Sequence, residues 1–409
     1  MKILHTSDWH LNERLGRIER RTDIADRLIE IAGYLDQHKV DVMVVSGDLF
    51  ANITRMEAVR DAVGDVGHAF KHFLLSGGTI VGISGNHDSE PLFNLFREMM
   101  DLVAPIDSGG NAVKPAGRMY LYEGPGYMRL KDRTDQVVQF VLLPFPTPSR
   151  YLRGQQRAQY SSLEEKNRSL RNALKNTMES IQNDHIDKRL PAVMVSHIHI
   201  RGGQVHNLFH ISETEDVIFE VGDIPTAWSY IACGHIHRPQ EIQGMARARY
   251  AGSIERLDFG EAGDDKVVWL TEVLADVSKQ APPEPLALNA TPLYRIVVND
   301  PETDLAGLEE RYPNAQRAIV SYTVNYKPGE HNLSAITEQI ERVFPRWSDR
   351  QTHAIGSQVE ALVVQHKGNL EDVPGTVRNF LVSRFESHPD KDDLLVLADK
   401  LLINEEDVE

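Results

Sequence analysis

Val42-Met43-Val44-Val45 is an unbroken apolar run, with Lys39 shortly before it and Ser46-Gly47-Asp48 after it. Such a run, rich in β-branched residues, predicts a strand buried on both faces, the normal state in a sheet covered by helices. Residues 2–7 predict an earlier strand. Residues 23–38 place Ile24, Leu28, Ile31 and Leu35 at helical spacing, an amphipathic helix. A second helix is expected over 56–74 and a third strand over 79–84. Strand, helix, strand, helix, strand is the doubly wound α/β pattern.

Further along, residues 109–127 are rich in glycine and read as loop with a possible hairpin. Residues 137–143 form a strand closed by Pro144, Pro146 and Pro148, and 161–183 a polar helix with a thin apolar stripe. Strands are expected over 192–196 and 230–233. Two more, near 248–254 and 267–274, would complete the second sheet of a layered α/β sandwich flanked by helices. The first domain is thus 1–275. Residues 276–292 carry Pro282, Pro283, Pro285 and Pro292 and read as a linker. A small α/β domain is expected over 293–366 and two short helices over 367–409.

Length and composition narrow the class. A chain of 409 residues predicts two or three domains, and 41% hydrophobic with 25% charged residues is an ordinary soluble composition. Cys233 is the single cysteine, which excludes an internal disulfide framework and fits a reducing compartment. No signal peptide precedes the first strand and no apolar run reaches membrane-spanning length, so the expectation is cytoplasmic, with no membrane partner. A net charge of −16 argues against coating nucleic acid by bulk electrostatics. The charge is uneven: residues 150–175 hold seven bases against two acids, and 386–409 hold nine acids against two lysines.

Five motifs carry the candidate chemistry: Asp8-Trp9-His10, Gly47-Asp48, Gly85-Asn86-His87-Asp88, His197, and Gly234-His235-Ile236-His237. Each directly follows a predicted strand, where open α/β sheets place their ligands. Residues i and i+2 project to one side, so Asp8 with His10 and His235 with His237 suit chelation. Carboxylates, an amide oxygen and imidazoles together suit manganese, iron or zinc better than an all-oxygen magnesium or calcium cage. The donors are too many for one ion. Two ions sharing Asp48 use them all, the arrangement that cleaves phosphate esters. A lone Asp-x-His or a lone histidine is usually structural, but five fragments in order at strand ends are not explained that way.

This ordered set resembles the calcineurin-like metallophosphoesterase superfamily. The stretch Leu4-His5-Thr6-Ser7-Asp8-Trp9-His10-Leu11, with Gly47-Asp48-Leu49-Phe50, more particularly resembles the SbcD-type DNA exonuclease subunits of the double-strand-break repair nuclease family. The motifs cover residues 1 to about 260, and the linker and small domain match that family's capping domain less specifically. The resemblance implies a calcineurin-like phosphoesterase β-sandwich with a capping domain and a short helical tail. It implies double-strand exonuclease and single-strand endonuclease activity in DNA repair, recombination and replication. DNA, an SbcC-type coiled-coil ATPase and a second copy of the chain, as a homodimer, are the implied partners. Two Mn2+ per chain are implied, with iron, zinc or magnesium as alternatives. Asp8, His10, Asp48 and His237 would hold one ion, and Asp48, Asn86, His197 and His235 the other. His87 would be the catalytic histidine that stabilises or protonates the leaving oxygen, with Asp88 orienting an imidazole.

The sequence departs from that family at Asn12, where glycine is usual, at Ala51, where many relatives carry histidine, and at the extra His199. His199 is expected to be a neighbour of the site and Cys233 a small buried residue. Arg14, Arg17, Arg20 and Arg21 follow the first motif and are candidates to track a DNA backbone, with a solvated helix face as the alternative. Two other functions stand against the nuclease reading. A phosphodiesterase or phosphatase acting on a non-DNA substrate would not need the linker and the residues beyond it. A catalytically silent scaffold for the ATPase would not need a complete ligand set.

Overall fold

The strand Val42–Val45 lies between Lys2–Thr6 and Thr79–Ile83 and runs parallel to both. In this computed structural model residues 1–51, 55–103, 117–152, 160–204, 217–225, 227–312 and 314–355 are described, with a few more between 378 and 396. The first sheet runs, in order, Glu284–Ala287, Val267–Glu272, Lys2–Thr6, Val42–Val45, Thr79–Ile83 and Met119–Tyr122. The second runs Gln240–Ile242, Met245–Tyr250, Tyr230–Gly234, Ala192–His197, Val137–Leu143 and Gly126–Lys131.

The two sheets face each other, and strand alternation sorts the side chains into layers. Val42, Val44, Ile3 and Val81 pack with Phe140, Leu142, Val193 and Val195 between the sheets. Met43, Val45, Leu4 and Ile80 turn to the opposite face, onto Ile24, Leu28 and Ile31 of helix Arg21–Gln37 and Phe70 of helix Met56–Leu75. On the second sheet, Val141, Leu143, Met194 and Cys233 turn outward with Leu170, Leu174 and Met178 of helix Leu163–His185. Each fully buried aliphatic side chain contributes about 1.5–3 kcal/mol, and a one-residue slip would exchange the two faces of a strand. Register is therefore fixed, and with it the place where each strand ends.

Three elements differ from expectation. Val267–Glu272 joins the first sheet, antiparallel to Lys2–Thr6, and leaves the second sheet without it. The stretch read as a linker carries Glu284–Ala287, an edge strand on Val267–Glu272. Pro285 is tolerated there because an edge strand has one row of unpaired amides. Gly126–Lys131, which begins where the stretch read as loop with a possible hairpin ends, is a strand paired antiparallel with Val137–Leu143.

Two compact units divide the chain: Met1–Arg295 with Asn314–Ser321 and Phe344–Asp349, and Ile296–Pro313 with Tyr322–Val343 and Arg350–Glu409. A three-stranded sheet of Leu293–Val298, Ile319–Tyr326 and Trp347–Ala354, in that order, lies in the region expected to be the small α/β domain. Its helix, Leu333–Val343, buries Ile336, Ile340 and Val343. The expected helical tail, 367–409, lies outside the described residues except for those few positions.

Candidate metal centre

Backbone turns at the strand ends aim the motif side chains at one place. Asp8, His10, Asp48 and His235 all have positive φ, at 49°, 45°, 51° and 90°. Non-glycine residues rarely adopt this region, and such strain collects at functional sites. Gly47 has φ 106°, and a Cβ there would overlap the His197 ring. A Cβ on Gly85 would overlap the Asp48 carboxylate. Both glycines are therefore needed for close approach. The loops are stitched together by Asp8 N–H to Gly47 O at 3.0 Å and His10 N–H to Asp48 O at 3.1 Å. The His235 N–H reaches the Asp8 carboxylate at 3.2 Å and so links the two sheets.

Three groups of ligand atoms lie within 4.8 Å of one another: Asp8, His10 and His237; His10, Asp48 and His87; and Asp8, Asp48 and His197. Asn86 Oδ1 stands 3.0 Å from His197 Nε2 and 3.1 Å from His235 Nδ1. All seven residues expected to bind metal are thus brought together. Asp48 belongs to groups on both sides of the cluster, as does Asp8. His87, half-buried, has its ring 4.8 Å from that of His10. His199 has its ring 6.2 Å from that of His235 and enters none of the three groups.

The electrostatics call for a cation. Asp8 and Asp48 are 0% and 1% exposed, and among the described residues no lysine or arginine pairs with either. Buried carboxylates without counter-charge are costly. Burial alone would lower the His197 pKa, but Asp48 and Asp8 outweigh it and raise it to about 9. A proton there supplies positive charge that a metal ion would otherwise bring. Burial would raise Asp48, yet the surrounding histidines hold it well below the usual carboxylate range. For His87, burial and the neighbouring imidazoles outweigh Asp48, and its pKa is lowered. Among the described residues neither ring nitrogen of buried His10 has a hydrogen-bond partner: Nδ1 lies 3.5 Å from Glu13 Oε2 and Nε2 3.7 Å from Asp48 Oδ2. Orphaned imidazole nitrogens, two buried carboxylates whose only basic neighbours among the described residues are imidazoles, and an amide oxygen fit divalent manganese, iron or zinc.

Around this cluster several expectations change. Among the described residues the Asp88 carboxylate makes no hydrogen bond to an imidazole. It accepts the backbone amides of Gly85 at 2.8 Å, Phe50 at 2.9 Å and Leu49 at 3.3 Å, clamping the loop of Asp48 to that of Asn86 and His87. Arg20 is fully buried, with its guanidinium on Asp23 at 2.7 Å and Glu255 at 2.9 Å. Facing inward, it is not available to phosphate. Arg21 is exposed but paired with Asp61 and Asp65. Arg14 pairs with Glu19 at 3.1 Å, and the Arg17 guanidinium stacks 3.6 Å over the Trp347 ring. Both are exposed and remain candidates for DNA. Glu261, against His237, was not legible in the sequence. It sits in the short 3-10 helix Phe259–Glu261, and nothing local marks it as different from any turn carboxylate.

A two-sheet sandwich with a two-ion donor set at its strand ends defines a metallophosphoesterase. Residues 1–239 match the calcineurin-like phosphoesterase family, and the chain belongs to it. The chain is similar to the SbcD subunit of the nuclease SbcCD of Escherichia coli (strain K12), 29% identical over 286 residues, covering 66% of this chain and 64% of that one. It is similar to the protein of the same name from Rhodobacter capsulatus, 27% identical over 302 residues, covering 70% and 69%. It thus spans 64% of the length of the Escherichia coli relative. A solved dimetal phosphatase from Danio rerio superposes with TM-score 0.40 at 12% identity, over 70% of this chain and 98% of that one. Among the described residues no helix is long and apolar enough to cross a membrane.

Proposed function

We propose that the chain is the nuclease subunit of a DNA repair complex, hydrolysing phosphodiester bonds with double-strand exonuclease and single-strand endonuclease activity. The observation that carries this reading is the convergence of Asp8, His10, Asp48, Asn86, His197, His235 and His237 around two buried carboxylates that have no lysine or arginine partner among the described residues. The name its relatives carry, as the SbcD subunit of the nuclease SbcCD, supports the substrate class and a partner protein. We take that partner to be an SbcC-type coiled-coil ATPase, and the active form to be a cytoplasmic homodimer.

Two Mn2+ are the proposed ions, which when bound would supply the Lewis acidity that polarises phosphoryl oxygens and activates water. Asp8, His10 and His237 would hold one, Asn86, His197 and His235 the other, and Asp48 would serve both. His87, beside His10 and Asp48, delivers a proton to the leaving oxygen, the work of a positioned general acid. Asp88 keeps that loop in place through the Gly85 amide.

Purified protein incubated with Mn2+ and labelled duplex, hairpin and single-stranded DNA, beside a chromogenic phosphodiester, tests this. Metal-dependent cleavage of DNA is expected. Turnover of the small phosphodiester with all three DNAs intact would move the substrate elsewhere in the superfamily. No hydrolysis of any of them would favour a scaffold.

A further inference from the structure

The ring of His237 is gripped from behind. Its Nδ1 meets Glu261 Oε1 at 2.9 Å, while Nε2 faces Asp8 Oδ1 at 3.8 Å. Glu261 is fully buried. Its other oxygen accepts from Lys266 Nζ at 2.6 Å, Ser253 Oγ at 3.1 Å and the Leu257 N–H at 3.2 Å. Lys266, 1% exposed, also donates to the His237 carbonyl at 2.8 Å. Glu261 and Lys266 are thus one unit that holds His237 by ring and by backbone, and neither enters a ligand group. As a stabilising device alone, a buried ion pair is often no better than an apolar pair of similar volume.

We infer that Glu261 is a positioning residue that fixes His237 as the Nδ1–H tautomer and aims its Nε2 lone pair into the Asp8–His10 group, with Lys266 holding Glu261 in place. A carboxylate can only accept a hydrogen bond, so the ring nitrogen that faces it carries the proton. The opposite nitrogen is left as a ligand. His197 is set by the same logic with a neutral acceptor, its Nδ1 lying 2.7 Å from Ser46 O. Carboxylate partners of this kind orient a metal-bound histidine and raise its basicity, and removing one typically costs 10–100-fold in metal affinity.

This inference rests on the reading of His237 as a ligand, and the test separates the two. Equilibrium dialysis against Mn2+ is run on metal-free wild type, Glu261→Ala, Glu261→Gln and the double variant Glu261→Leu/Lys266→Met. The double variant removes both charges of the pair, and Asp264, 3.6 Å from Lys266, keeps Arg238 at 3.8 Å, so it keeps the comparison open where Glu261→Ala does not fold. Wild type is expected to bind two ions per chain. Glu261→Ala and the double variant should lose about 10–100-fold for one ion and leave the other unchanged. Glu261→Gln, which keeps an acceptor oxygen, should lose less. Ring 15N NMR of metal-free wild type, with the His237 signals assigned by their absence in His237→Gln, should show the proton on Nδ1. A folded double variant that binds both ions at wild-type affinity, or a His237 protonated on Nε2, would overturn the role of Glu261. Wild type that binds no Mn2+ would instead overturn the metal site itself.

Discussion

Asp48 accepts the backbone N–H of His87 on Oδ1 at 2.8 Å. Its Oδ2 stands 3.3 Å from His197 Nε2 and 3.7 Å from His10 Nε2. One oxygen fixes the loop that presents His87, and the other faces histidines of both proposed ion sites. Asp48→Asn keeps the shape and the amide contact but removes the charge. Bound metal is expected to fall by at least one ion per chain, and cleavage by more than about 10³-fold, the several kcal/mol that metal charge stabilisation is worth. Elemental analysis of the purified variant beside a cleavage assay measures both. Two ions retained with normal cleavage would rule out Asp48 as the shared ligand.

His87 lies at the edge of the same cluster, grouped with His10 and Asp48. In the proposed role of proton donor to the leaving group it would be dispensable for binding metal. His87→Ala should keep both ions while cleavage falls by roughly 10²–10⁴, the usual contribution of a positioned acid. A DNA strand with a leaving group of low pKa, which needs no proton, should lose far less. Metal lost in step with activity would make His87 a ligand.

The parts legible in the sequence are those where local pattern and tertiary demand coincide. Val42–Val45 is fully buried because both its faces are covered, and four apolar residues in a row already say so. The candidate ligands sit at or just past strand ends, so knowing each strand locates its donor. What was illegible depends on pairs far apart. Arg20 meets Glu255 across 235 positions, and no local feature separates it from the exposed Arg14 or Arg17. Asp88 follows a histidine in sequence but turns to the amides of Leu49 and Phe50. Val267–Glu272 has the pattern of any half-buried strand, and only its register with Lys2–Thr6 assigns it to the first sheet.

Because Asp8 and Asp48 are buried with no lysine or arginine beside them among the described residues, the metal-free chain carries an electrostatic cost that a divalent ion removes. Mn2+ at about 100 times its Kd should stabilise the fold by about 2.7 kcal/mol per site, through mass action alone. For a domain of this size that raises Tm by several degrees. Differential scanning fluorimetry of chelator-treated protein, with and without Mn2+, reads it. Asp48→Asn should shrink the shift. A Tm indifferent to Mn2+ in wild type would contradict the donor set.

Arg20 gives the sharpest contrast between a structural and a DNA-binding arginine. Its guanidinium is held by Asp23, Glu255 and the Arg256 carbonyl at 2.6 Å. Burial already raises the Glu255 pKa above its ordinary value, against the pull of Arg20. Arg20→Met removes that pull and leaves a buried carboxylate short of positive charge, which costs about 3–5 kcal/mol. The sign of the pH dependence follows. With its folded pKa raised further, Glu255 is protonated and harmless below its unfolded pKa near 4.5. As pH rises through the folded value the carboxylate ionises in place, so the deficit against wild type should be small in acid and largest at neutral pH. Chemical denaturation of both proteins across that range measures it. The salt dependence of duplex binding should not change, since each phosphate left unneutralised would reduce the slope of log K against log salt by about 0.9. A variant of unchanged stability whose slope falls by about one unit would place Arg20 on the DNA after all.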